Sequence, residues 1–213
     1  LIQIRPFAAA LDRFRAAVIV ATALLLLASA VLLMVPATAA AKGGDSPGEQ
    51  AQAAAGSLIA PQGRCAGEQI ASTAFRDRAT RAVVCLVNYA RRQIGRPGYD
   101  IDRGLNRSAS LKAGDILRCD AFSHSACGRP FTWWIDRRYV EDARCWRAAE
   151  NIAWATYDLG SARMVFKAWM RSPGHRSAIL SRQYEEIGIG FRIGELRGRD
   201  AVRVWVQHFG EIC

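Results

Sequence analysis

Residues 149–155 read Ala149-Glu150-Asn151-Ile152-Ala153-Trp154-Ala155. Ile152 and Trp154 alternate with the small Ala153 and Ala155, the period of two that marks a short β-strand. The segments on either side of this strand set the fold class. Upstream, Ala79, Ala82, Val83, Leu86, Val87, Ala90 and Ile94 form one stripe at helical spacing. Ser72 or Thr73 can cap its start, Arg91 and Arg92 suit its negative end, and Gly95 with Pro97 stops it. A second helix is predicted over 108–118, with Leu111 and Leu117 inward and Gly114 weakening it by about 1 kcal/mol. Residues 130–143 predict a short helix that places Phe131, Trp133, Trp134 and Ile135 in the core.

Downstream of the strand, Gly160-Ser161 caps a helix with Ala162, Val165, Phe166 and Trp169 on one face, Trp169 being read as core. It ends before Pro173-Gly174, where a short helix opens and runs to Leu180. Ile187, Ile189, Phe191 and Ile193 then alternate, as do Val202, Val204 and Val206. These are two strands of an antiparallel hairpin joined through 194–200. Helices before a strand, a helical stretch after it and a closing hairpin give an α+β domain, a small sheet covered by helices.

The domain occupies 67–213. Before it, residues 42–66 read as a flexible tether rich in Gly, Ala, Gln, Ser and Pro. Residues 1–41 read as an export segment: Arg5, Arg13 and Arg15 precede an uncharged run over 16–35, then Pro36 and small residues. Cleavage after Ala39 or Ala41 would make it a signal peptide, and the length of the run equally allows an uncleaved anchor. Both readings put the domain outside the cell, secreted or held on the outer face of the membrane.

Six cysteines agree with an oxidising compartment: Cys65, Cys85, Cys119, Cys127, Cys145 and Cys213 read as three disulfides. Fifteen pairings are open in principle. Cys119 with Cys127, which flank His124, is the expected clamp, and chain order then favours Cys65 with Cys85 and Cys145 with Cys213. The net charge of +10 is carried by arginine, 26 of the 29 basic residues. No nucleic-acid motif accompanies it, so nucleic acid is not expected as a partner. The expected state is a monomer.

Three segments carry the chemistry: Phe122-Ser123-His124, Ala149-Glu150-Asn151-Ile152-Ala153 and Trp169-Met170-Arg171-Ser172-Pro173-Gly174-His175-Arg176. Two of the three histidines in the chain sit here, with a glutamate between them in an apolar strand, where carboxylates seldom stand unpaired. With the closing Glu186-Ile187-Gly188-Ile189-Gly190, this ordered set resembles the bacterial branch of the CAP superfamily, the SCP domain of cysteine-rich secretory and pathogenesis-related proteins. The resemblance spans about residues 70–213. It implies an α-β-α sandwich with a mainly antiparallel sheet, and a central cavity to which His124, Glu150 and His175 contribute. Some members bind a divalent metal there. Ala149 stands where the family has glycine, and the family's second cavity glutamate falls near Ser172, leaving Glu186 as a candidate replacement.

His124, Glu150 and His175 would form a His₂Glu set, the ligand number of an open zinc site, holding zinc or another divalent ion weakly. Two function classes follow. One is an exported binding module for a small apolar ligand, lipid, peptide or cell-envelope component. The other is a metal-assisted hydrolase or peptidase with Glu150 as general base. No serine triad, phosphate loop or H-E-x-x-H helix is written in the chain, which favours the non-enzymatic class. His208 falls on the Val202–Val206 side of the last strand and is read as incidental.

Overall fold

The computed structural model describes residues 2–3 and 58–213. The apolar run at 16–35 and most of the tether at 42–66 lie outside the described residues. The elements in chain order are β1 (Ile2–Gln3), α1 (Arg76–Gln93), β2 (Asp100–Ile101), α2 (Arg103–Arg118), α3 (Trp133–Asp136), β3 (Trp146–Thr156), α4 (Ala162–Arg171), α5 (Pro173–Ile179), β4 (Glu186–Leu196) and β5 (Arg199–Ile212). The sheet order is β1-β3-β5-β4-β2. Long antiparallel pairings join β3 to β5 and β5 to β4, and the two-residue β1 and β2 lie parallel at the edges. Helices cover both faces, so the α+β sandwich expected from the sequence is the observed architecture.

Alternation along the strands sorts the core into two halves. Ala153, Ile187, Ile189, Phe191, Trp205 and Phe209 point to one side, against α1 and α4. Ile152, Trp154, Val202, Val204 and Val206 point to the other, against α2. Trp169 is fully buried in the first half, as its place on the α4 stripe implied. The β4–β5 hairpin turns more tightly than the 194–200 loop suggested: Leu196 pairs with Arg199. Arg197 and Gly198 both have positive φ, 54° and 68°, which a two-residue turn matched to strand twist requires.

The first helix keeps its predicted stripe with one exception. Ser72 caps a 3-10 turn over Thr73–Phe75, accepting from the Ala74 N–H at 3.3 Å, and α1 follows. Ile94 lies one residue past its end and is 39% exposed. Arg91 is not a surface charge at the helix end but a buried one. It donates to the carbonyls of Pro97, Ile179 and Ser181 and stacks 3.5 Å from the Tyr99 ring centroid, tying α1 to the end of α5.

The second helix corrects the sequence reading. It starts at Arg103, where the Asp102 carboxylate accepts from Leu105 N–H at 2.7 Å. Its buried residues are Leu105, Ser108, Ala109, Lys112, Ala113, Asp115 and Ile116, while Leu111 and Leu117 are half-buried. The cause lies in β4. A Cβ on Gly188 would come within 2.1 Å of the Leu105 backbone, and one on Gly190 within 2.2 Å of the Ala109 carbonyl. The helix backbone therefore rests directly on the strand, and the small Ser108, Ala109 and Ala113 share that face with Leu105, Lys112 and Ile116. Gly114 has nothing within 4 Å of a notional Cβ, so packing does not demand it.

The predicted helix over 130–143 shrinks to the single turn of α3, in which Ile135 is buried and Trp133 and Trp134 are half-buried, with Phe131 half-buried just before it. Phe131 packs at the edge of the small Leu105–Ile135–Val140 cluster, and Trp133 and Trp134 lie outside the core. Arg137 stacks 3.4 Å from the Trp133 ring, and Trp134 Nε1 donates to Asp115 Oδ2 at 2.8 Å. The disulfides are Cys65–Cys85, Cys119–Cys127 and Cys145–Cys213, with no free cysteine. Among the described residues no helix is long and apolar enough to cross a membrane.

Candidate functional site

Glu150 stands in β3 with its side chain facing α2, on the same side of the sheet as Ile152 and Trp154. Directly across the ladder, opposite Glu150, is His208 in β5. That register fixes the chemistry. His208 Nε2 lies 2.9 Å from Glu150 Oε2, and its other nitrogen, Nδ1, lies 2.7 Å from Ser108 Oγ on α2. Ser108 Oγ is also 2.9 Å from the Leu105 carbonyl within the same helix. His208, read as incidental from the sequence, is fully buried and part of the site. A histidine on the inward face of a strand needs polar partners, and that was the signal to pursue it.

The second oxygen of Glu150 meets His124: Nδ1 is 2.7 Å from Oε1. His124 comes from the loop after α2, which the Cys119–Cys127 bridge closes. The loop is further pinned from both sides. Lys112, buried on α2, donates its ammonium to the His124 carbonyl, and Phe122 packs edge-on against Trp154 at 6.4 Å. The Glu150 side chain is 1% exposed and that of His124 is 44% exposed. A continuous polar line thus runs Ser108, His208, Glu150, His124, from the helix–sheet core to the surface.

Charge in this line is set by burial and pairing. Burial pushes the Glu150 carboxyl up, but the hydrogen bonds from His124 and His208 and the nearby Lys112 charge outweigh it and hold the group below its ordinary value. Burial lowers the Lys112 ammonium, opposed by Glu150 and Asp115. An ionised carboxylate only accepts, so both imidazole nitrogens facing Glu150 donate to it.

His175 sits in α5, its Nδ1 2.7 Å from Ser172 Oγ. Its carbonyl accepts from Asn151 Nδ2 at 3.1 Å, which ties α5 to the residue next to Glu150 in β3. Asn151 also donates to Gln207 Oε1 at 2.9 Å. The His175 imidazole is pushed down to about 4, chiefly by burial. Ser172, where the family's second glutamate falls, serves as the partner of His175. Glu186 is elsewhere: its carboxylate accepts from the Tyr139 hydroxyl. The structure therefore joins His124 to Glu150 directly and adds His208, while His175 is tied to β3 through Asn151.

Two chemical readings can be tested on this geometry. Ser108, His208 and Glu150 follow one another like a hydrolase triad, but Ser108 is 0% exposed on a helix packed against the sheet, where no substrate reaches its oxygen. The residues also do not fit a preformed His₂Glu metal centre. Both Glu150 oxygens accept from imidazoles, and among the described residues no group of three or more His, Cys, Asp or Glu side chains is placed to hold an ion. A carboxylate so placed is also a weak base, because a proton arriving there must break one of two charge-assisted hydrogen bonds.

Comparison with known proteins agrees with the fold. The model of the CAP family, described as the cysteine-rich secretory protein family, matches residues 84–209. The Bacillus subtilis (strain 168) protein YkwD is 31% identical over 131 residues, which is 61% of this chain and 46% of that protein, so the chain spans a little under half its length. An extracellular protein containing a SCP domain from Bacillus anthracis superposes with a TM-score of 0.50 at 21% identity, covering 62% of this chain and 40% of that one. An outer surface protein of Borrelia burgdorferi gives a TM-score of 0.49 at 21% identity, covering 60% of this chain and 87% of its own. The chain belongs to the cysteine-rich secretory protein (CAP) family.

Proposed function

We propose that this CAP-family domain is an exported binding module whose cleft, bordered by His124, Glu150 and His175, captures a small ligand or peptide from the cell envelope. The observation that carries the reading is the double hold on Glu150. With one imidazole on each oxygen, the carboxylate orients a half-exposed histidine and is not poised to activate water. A line of buried, mutually satisfied polar groups is rigid, and rigidity in a cleft favours capture of a ligand by lowering the entropy lost on binding. Export is supported by three closed disulfides without a free thiol, and by membership of a family described as secretory. Native mass spectrometry of the exported protein tests the proposal. It should report a co-purified non-covalent ligand that is lost on His124→Ala. A protein that carries no ligand and hydrolyses peptide or ester substrates, with activity abolished by Glu150→Gln, would overturn it in favour of the hydrolase.

A further inference from the structure

The buried end of the polar line, Ser108 and His208, touches no solvent, so its effect on a ligand has to pass through Glu150 to His124. The route is a matter of proton count. Glu150 is ionised and can only accept, so His124 must carry a proton on Nδ1, the atom 2.7 Å from Oε1. His208 must likewise carry one on Nε2, 2.9 Å from Oε2. In neutral His208 the other nitrogen, Nδ1, is then an acceptor. Ser108 is the donor available to it at 2.7 Å, its one hydroxyl proton shared between that nitrogen and the Leu105 carbonyl at 2.9 Å.

Every group behind Glu150 is thereby committed, and the carboxylate cannot turn away from His124. The Nε2 of His124 has no hydrogen-bond partner among the described residues, and the side chain is 44% exposed. With Nδ1 holding the proton, neutral His124 offers Nε2 to the cleft as an acceptor lone pair.

We infer that Ser108 and His208 are positioning residues that lock His124 in its Nδ1–H form, so that the cleft selects a ligand group that donates a hydrogen bond, such as an amide N–H, a hydroxyl or an ammonium. This rests on the binding reading above and deepens it by naming the chemical class of the group received. An anionic or purely accepting group would face the lone pair and be repelled.

The test is nitrogen NMR of the imidazole rings in the full chain, metal-free, at pH 8, which reports the tautomer of each histidine. His124 should be at least tenfold in favour of Nδ1–H. In His208→Leu, which leaves Glu150 Oε2 without a donor, that preference should fall several-fold, and His208→Gln, whose amide can still donate, should restore it. His124 found with its proton on Nε2 in the wild type would overturn the inference with no variant needed. So would a folded His208→Leu protein with the wild-type ratio. The ligand experiment fails independently. A bound ligand with the wrong tautomer sinks this inference alone, and the right tautomer without any ligand sinks the binding reading alone.

Discussion

Against α1 and α4, the sheet buries Phe166, Trp169, Ile187, Ile189, Phe191, Trp205 and Phe209, with the Asn151–Gln207 pair as its polar part. Against α2, Ile152, Trp154 and three valines share the interior with Ser108, Lys112, Glu150 and His208. One sheet thus carries two kinds of core. The first fails when volume is removed. The second fails when a partner is removed, because a buried polar group without its hydrogen bond costs more than the bond contributes when made. The polar line to His124 belongs to the second kind, where the helix backbone lies on Gly188 and Gly190.

The two faces part most visibly at Trp169. Truncation to Ala there leaves a large void in the first half of the core, and should destabilise by about 3–5 kcal/mol in urea unfolding. A Tm unchanged by Trp169→Ala would mean that the first face is not the mechanical core.

Acid should distinguish the faces next. His175 is pushed down to about 4 from 6.5, so the unfolded chain binds its proton first. Stability from this group is present above 6.5 and is lost as pH falls from 6.5 toward 4. Glu150, held below the ordinary 4.5, contributes stability that is lost as pH falls further, below about 4.5. His175→Gln should flatten the upper window and Glu150→Gln the lower one, read from midpoint against pH. The same slope in all three proteins would contradict the assignment.

The smallest effect belongs to Gly114, half-buried on α2. With open space around it, Gly114→Ala should raise stability by about 1 kcal/mol or a little less. A loss would show that α2 needs that freedom.

Much of the first face was legible in the chain, because large apolar residues at regular spacing state their own period. The stripe of α1, the stripe of α4 and the alternation in β4 all survived into the structure. The second face was not legible in that way. Its helix buries Ser108, Ala109 and Lys112, so a search for apolar period chose Leu111 and Leu117 and began the helix five residues late. Gly188 and Gly190 carried the missing information, since alternate glycines in a strand signal a backbone lying close by. For the site, the motifs gave His124 and Glu150, which the structure joins. His208 was missed because its role depends on strand register, set by the pairing of two segments 58 residues apart. Once Glu150 is known to face its neighbour on the ladder, the histidine opposite cannot be incidental.

Glu150 and His208 act as one unit, and a double-mutant cycle measures that directly. Glu150→Leu, His208→Leu and the pair should be compared by urea unfolding at pH 7.5. Each single change strands a buried polar partner, whereas the pair removes both. The double variant should therefore be more stable than the sum of the single losses predicts, by about 1–3 kcal/mol. Losses that add within about 0.5 kcal/mol would show two independent residues, and the polar line from Ser108 to His124 would not exist as a unit.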